Sequence, residues 1–353
     1  LSHIGRKDRG ASVAVEVDRR VDGVGSDRVS HVVAEGLVRR FGDIEAVAGI
    51  DLEIKAGEVF GFLGPNGAGK STTVRMLTTL LRPTAGRATV AGHDVVKEAD
   101  AVRRSIGVAL QEAALDPLMT GRELLHLQAV LHGIGRSEAR ERADRLLVTV
   151  GLRKAADRRV GTYSGGMRRR LDLALALTHE PIVLFLDEPT TGLDPNSRIA
   201  LWDEVRTLNR DFGTTVFLTT QYMEEADQLA GRIAIIDNGR IVADGTPARL
   251  KAEVGDPSLR VALIHETDKS RVESLLREFG EEIPDSDGYI TVRLSGGGAR
   301  VGAVSRALDD AGVEIEGLEL HNPSLDDVFQ QATGRRLEGA EEAPVEQTAG
   351  DVG

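Results

Sequence analysis

Between Val32 and about Thr246, short apolar runs of strand length alternate with amphipathic stretches, the rhythm of an α/β domain. Val59 to Leu63 reads as a buried strand, and after a glycine-rich loop the spacing predicts a helix from Ser71 to about Leu81. Further strands are expected at Ile106 to Leu110 and Thr214 to Thr219. The densest apolar run, Ile182 to Leu186, suits a parallel strand covered on both faces. From Met119 to Gly151 the pattern turns almost purely helical. Leu124, Leu127, Val130 and Leu131 share one face there, and Leu146 and Leu147 recur later, which predicts a helical insertion at about 112–170.

Beyond Pro247 the order changes. Strands are expected at Leu259 to Ile264, Tyr289 to Leu294 and Val313 to Leu320. Helices are expected at Lys269 to Phe279, Ala299 to Ala311 and Ser324 to Ala332, the last capped by Ser324. The chain therefore divides into a polar leader (1–30), an α/β domain (31–247), a small C-terminal α+β domain (248–333) and an acidic tail (334–353). The leader is expected to be flexible and the tail disordered, since neither holds a sustained apolar period.

At 353 residues there is room for two cores. No window approaches the roughly 20 apolar residues that a membrane-spanning helix requires. The chain opens at Leu1 rather than Met, its true start is left open, and residues 1–30 hold no apolar segment of signal type. There are no cysteines, which excludes disulfides and thiolate metal sites. The net charge of −12 argues against a generic nucleic-acid binder.

Gly64-Pro65-Asn66-Gly67-Ala68-Gly69-Lys70-Ser71 fits the phosphate-loop pattern between a strand and a helix. Glycines let successive backbone N–H groups converge on phosphate, and the helix adds its positive end. Lys70 would reach the β- and γ-phosphates, and Ser71 would ligate Mg²⁺. A glycine-rich turn with no ligand is the bland alternative. Asp187 and Glu188 end the strand 182–186: an acid there can hold Mg²⁺, and its neighbour can orient or deprotonate an attacking water. Two acids that merely terminate a strand are the competing explanation. Ser164, Gly165 and Gly166 open a second helix, with Ser164 as cap, and make a second anion-binding device. One nucleotide rarely needs two cradles in one chain. The second makes sense if it closes over a nucleotide held by another subunit.

Together these segments resemble the ATP-binding subunit of an ATP-binding-cassette (ABC) transporter, over roughly Val32 to Thr246. Tyr163-Ser164-Gly165-Gly166-Met167 resembles the family's Leu-Ser-Gly-Gly-Gln signature, with Tyr163 for Leu and Met167 for Gln. The resemblance implies a P-loop NTPase cassette with a helical insertion, binding ATP and Mg²⁺. Gly64 to Ser71 and Thr72 would hold nucleotide, with Lys70 also serving catalysis. Gln111 would sit in the Q-loop as a nucleotide contact and Mg²⁺ ligand beside Ser71 and Asp187, on a surface that meets the membrane partner. Asp194, in Gly192-Leu193-Asp194, would lie in the D-loop. Phe41 would stack on adenine in place of the usual Tyr. Gln221 replaces the usual switch His; its amide can donate to a γ-phosphate oxygen but cannot shuttle a proton, which loads catalysis onto Glu188.

Thr219 to Asp227 and Asn322 to Phe329 resemble the daunorubicin/doxorubicin-resistance subfamily. The implied protein is a motor subunit at the cytoplasmic face of the membrane, working as a homodimer under a separately encoded integral membrane permease. It would power export of a hydrophobic drug-like or lipid-like compound, and no nucleic acid is expected. A polysaccharide cargo is not separated from these by any residue. The alternative is a soluble ABC ATPase acting on nucleic acid or the ribosome. Arg168, Arg169 and Arg170 are expected to form one solvated, partner-facing turn, Trp202 to be core, and the histidines show no metal-ligand spacing.

Overall fold

The computed structural model describes residues 29–111, 115–283 and 289–335. The leader up to residue 28 and the tail from 336 lie outside the described residues, and Ser30 already belongs to the first strand.

The chain runs β1 (Ser30–Phe41), β2 (Ile44–Lys55), β3 (Val59–Leu63), α1 (Lys70–Leu77), β4 (Ala85–Val90), β5 (His93–Asp94), α2 (Ala99–Ser105) and β6 (Ile106–Ala109). The insertion follows as α3 (Gly121–Leu131) and α4 (Arg136–Thr149), and α5 (Gly165–Ala176) leads back. Next come β7 (Val183–Asp187), α6 (Pro195–Phe212), β8 (Thr215–Thr220), α7 (Met223–Leu229), β9 (Arg232–Asp237) and β10 (Arg240–Gly245). The C-terminal part is α8 (Pro247–Val254), β11 (Ser258–Leu263), α9 (Lys269–Leu276), β12 (Gly280–Ile283), β13 (Ile290–Leu294), α10 (Val301–Asp310), β14 (Ile315–His321) and α11 (Leu325–Thr333).

A six-stranded sheet, ordered β10-β9-β3-β8-β7-β6, carries the site. Strands β9, β3, β8, β7 and β6 are parallel, and β10 is an antiparallel edge. β7 and β8 are buried at every position, as covered parallel strands must be. Phe60, Phe62, Phe185 and Phe217 fill one face, with ring centroids 5.4 to 6.5 Å apart. Those rings face an antiparallel sheet, β2-β1-β4-β5, through Val32, Leu37, Ile50 and Ile54. A third sheet, β12-β13-β11-β14, is backed by α9 and α10. The α/β cassette with an α+β addition is thus the observed fold class.

Several local expectations change. Helix α1 stops at Leu77, because the Thr78 hydroxyl caps the Val74 carbonyl and Thr79 takes a positive φ of 67°. Gly133-Ile134-Gly135 breaks the expected long helical stretch into α3 and α4. The buried face of that pair is Leu125, Ala129, Ala143 and Leu147, whereas Leu127, Val130 and Leu131 are exposed. Arg169 belongs to no solvated turn: it is 8% exposed. Trp202 is core as expected, and its indole Nε1 donates to Glu225 at 3.2 Å. Strand β12 was invisible in the sequence; it is a four-residue edge with only Ile283 apolar.

His132, just after α3, stacks on His179, with centroids 3.9 Å apart and rings 3° from parallel. His179 Nε2 bonds the Ile106 carbonyl at 2.8 Å, tying the insertion to the strand before Gln111. Burial, then His132, holds the His179 imidazole down to about 4. It is neutral in the folded chain, while in the unfolded chain it takes up a proton near pH 6.5. Stability from this group is therefore full above pH 6.5 and is lost as pH falls toward 4. In His179→Gln, which keeps a donor for Ile106, the drop in melting temperature between pH 7 and pH 5 should shrink by about 2 °C, read by calorimetry.

Candidate active site

The phosphate loop lies at the C-terminal edge of the parallel sheet, where α/β folds place their ligands. Close approach sets its glycines. A Cβ on Gly64 would lie 2.3 Å from the Ile236 carbonyl oxygen. On Gly69, at φ 110°, it would lie 2.5 Å from that of Ala46. The loop is held from below, since the Ala68 carbonyl accepts from Gly239 N at 2.9 Å. Gly69 precedes α1 without a side-chain cap, so the first-turn N–H groups are left for an anion. Asn66 and Gly67 are exposed at the loop's crest, with Ser71 and Thr72 half-buried behind it.

Lys70 is 4% exposed, and its Nζ donates to the carbonyls of Gly64 at 2.7 Å and Pro65 at 3.0 Å. Glu188 Oε1 pairs with the same ammonium at 3.2 Å. Burial lowers the Lys70 pKa, and the charges of Glu188 and Asp187 oppose that shift. Asp187 Oδ1 accepts from Ser71 Oγ at 3.1 Å and from Thr219 Oγ1 at 2.6 Å. Glu188 sits at φ 48°, in the left-handed region, and its N–H donates to Thr219 Oγ1 at 3.1 Å. That turn aims the carboxylate back over the loop at Lys70. A hydroxyl touching a carboxylate beside a phosphate cradle is a hard-oxygen donor set, which fits Mg²⁺.

Lys70, Ser71, Asp187 and Glu188 therefore form one contact cluster. Gln111 and Gln221 leave β6 and β8 at the same sheet edge, Gln111 exposed and Gln221 half-buried. Residues 112–114, just past Gln111, lie outside the described residues.

The second cradle is elsewhere. Ser164 caps α5 by accepting from Met167 N at 3.3 Å. Gly166 packs so tightly on α6 that a Cβ would lie 2.8 Å from Ser197 Oγ. Asp194 caps α6 through Ser197 N and Oγ, at 3.0 and 2.6 Å, bonds that hold its carboxyl below the usual range. The Ser164–Gly166 segment thus meets the Asp194 turn, and no hydrogen bond among the described residues joins it to the phosphate loop. Phe41 stands apart at the end of β1, 45% exposed, with the Arg39 guanidinium 4.4 Å over its ring.

Two groups were missed in the sequence. Thr219, given no role in the site by the sequence, organises both acids. Arg169 reaches into the site from α5, and the spacing of buried Gly166, Arg169, Leu173 and Ala176 on that helix was the signal that it points inward.

The ABC transporter family model matches residues 47–191, and the model for the ATP-binding protein DrrA1-3-like C-terminal domain matches 245–333. The daunorubicin resistance ATP-binding protein DrrA3 of Streptomyces coeruleorubidus is 49% identical over 88% of this chain and 98% of its own. The daunorubicin/doxorubicin resistance ATP-binding protein DrrA of Streptomyces peucetius is 49% identical over 86% and 92%. Among solved structures, a dimeric ATP-binding cassette in a post-hydrolysis state with ADP and Pi superposes with a TM-score of 0.56. It is 27% identical, over 61% of this chain and 98% of that one.

Gly69→Ala should destabilise the chain by about 2–4 kcal/mol, from the carbonyl clash and the positive φ together. It should weaken ATP binding more than tenfold, readable as a shifted urea midpoint and by calorimetric titration.

Proposed function

The chain belongs to the ABC transporter family, among the ATP-binding subunits with a DrrA1-3-like C-terminal domain, and on that premise we propose that it powers drug efflux through a separate membrane permease. It is an ATP-binding and hydrolysing subunit. Among the described residues no helix is long and apolar enough to cross a membrane. The transport path is therefore assigned to a partner, against whose cytoplasmic side this subunit would lie. The resistance names of the relatives support a hydrophobic, drug-like cargo. No observation favours the nucleic-acid or ribosome reading.

Two copies would pair head to tail. Each nucleotide would be held by residues 64–72 of one chain, with its adenine on Phe41, and covered by Ser164, Gly165 and Gly166 of the other, beside Asp194. The observation that carries this assignment is the separation of the two cradles: Ser164–Gly166 packs on α6, while Lys70, Ser71, Asp187 and Glu188 cluster under the phosphate loop. The dimeric cassette among the structural neighbours supports it.

Ser71, Asp187 and Gln111 would hold Mg²⁺, which supplies charge neutralisation on the β- and γ-phosphate oxygens. Lys70 would exchange its carbonyl and carboxylate partners for phosphate oxygens as the loop closes on ATP. That exchange frees Glu188 from the ammonium to accept a proton from the attacking water. Gln221 would donate its amide N–H to the γ-phosphate and fix its orientation without moving a proton.

Glu188→Gln keeps the shape and removes the base. With MgATP it should accumulate as a dimer by analytical ultracentrifugation, while steady-state turnover falls at least about 100-fold. Monomeric protein with unimpaired turnover would overturn both the pairing and the role of Glu188. In cells that also carry the partner permease, Lys70→Ala should abolish resistance to a hydrophobic drug, scored by dye or drug accumulation.

A further inference from the structure

One buried charge stands among the loops of the site without a part in the chemistry above. Arg169 projects from α5, the helix that Ser164 opens, and spends its guanidinium on three carbonyls in two other segments. Nε donates to the Pro189 carbonyl at 2.9 Å and Nη2 to the Asp187 carbonyl at 3.0 Å. Nη1 donates to the Leu110 carbonyl and lies 3.2 Å from the Asp172 carboxylate. Leu110 directly precedes Gln111, and Asp187 and Pro189 flank Glu188. One planar fork therefore fixes the backbone on both sides of Glu188 and directly before Gln111.

Keeping an ion pair there is costly. Burial lowers the Arg169 pKa and pushes the Asp172 carboxyl up to about 6. A well-packed apolar side chain would fill such a site at less expense to stability. What it could not supply is a rigid set of donors aimed at three carbonyls at once. Lysine could not either, since its ammonium sits on a flexible stem.

We propose that Arg169 is a positioning residue that couples the Ser164–Gly166 segment to this chain's own Gln111 and Glu188. The coupling rests on the paired-chain reading above. When Ser164–Gly166 closes on the nucleotide of the partner copy, α5 shifts as a rod, and Arg169 carries that shift to the Leu110 and Asp187–Pro189 backbone. Each chain then sets its own water-activating acid only when it covers the partner's ATP. The two sites become energetically linked, which is the content of cooperativity.

The test uses the full chain carrying Arg169→Lys or Arg169→Gln, each alone and combined with Glu188→Gln. The combined variants should still pair with MgATP, at ATP concentrations within about threefold of Glu188→Gln alone, because the backbone of 164–166 is untouched. The single variants should lose about 30-fold in kcat with KM within about threefold, the scale of a lost charge-assisted bond to the site backbone. Their Hill coefficient for ATP should fall toward one. Hydrogen exchange at 106–111 and 187–191 should slow on pairing in Glu188→Gln but not in the combined variants.

Lower kcat with an unchanged Hill coefficient and unchanged exchange protection would make Arg169 merely structural and overturn the coupling. A wild-type Hill coefficient of one would overturn it too. If Arg169→Gln does not fold, Arg169→Lys, which keeps a cation beside Asp172, carries the test. If neither folds while Asp172→Asn folds and turns over normally, the role is structural and the proposal falls. If Glu188→Gln alone fails to pair, the paired-chain reading fails and takes the coupling with it; if it pairs and the Arg169 variants match it, only the coupling is lost.

Discussion

A lysine ammonium buried at the mouth of a parallel sheet constrains everything around it. An isolated charge in that place would cost several kcal/mol, so it must be surrounded by negative or carbonyl oxygen. Lys70 meets this demand with two carbonyls of its own loop and the carboxylate of Glu188. These partners are ones that phosphate oxygens can replace, since phosphate offers the same charge-assisted bonds. The left-handed backbone at Glu188, the Thr219 hydroxyl that holds both acids and the glycines that bring Ile236 and Ala46 under the loop all serve this cluster.

The cluster rests on a base supplied from far along the chain. Strand β9, whose Ile236 carbonyl lies beneath Gly64, is covered on its other side by the C-terminal helices α8 and α11. Leu325, Val328 and Phe329 of α11 pack with Leu63, Ile233 and Ile235, next to Met223 and Ala226 of α7. Arg335, just past α11, pairs with Asp237 at the turn whose Gly239 bonds the phosphate loop. Helix α11 therefore completes the hydrophobic layer under the site, whereas the sheet from β11 to β14 with α9 and α10 keeps a core of its own.

What the sequence made legible follows from how local each signal is. The phosphate loop, the strand ending at Asp187 and the capped starts of α5 and α11 are short patterns whose geometry their own residues dictate, and they appear where expected. Helix α1 was read four residues too long because Thr79's backbone conformation leaves no mark in apolar spacing. The shared apolar face of Leu127, Val130 and Leu131 predicted the helix but does not mark its buried side, which is Leu125 and Ala129. Arg169 was read as solvated because a charge run ordinarily is, and three carbonyls from distant segments reversed that. Helical spacing could have put Arg169 on the inward face, but the carbonyls it meets there lie outside any window of sequence.

Under the proposed mechanism an amide at position 221 changes how the site divides its labour. Gln221 leaves β8 with an amide, and Tyr222 beside it is pinned by the Arg198 guanidinium 4.8 Å over its ring and by the Thr220 hydroxyl. The following helix is fixed through Glu225, fully buried and bonded to Trp202. The switch segment is thus tied down on both sides of Gln221, and its amide cannot change charge with pH. Under the proposed mechanism proton acceptance falls to Glu188, whose backbone is held by Thr219 and by the carbonyls that Arg169 binds on either side of it, while Lys70 pairs with its carboxylate until ATP takes the ammonium. On that mechanism a site with one base needs it placed well, and three separate elements of the fold, β7, β8 and α5, combine to place its backbone.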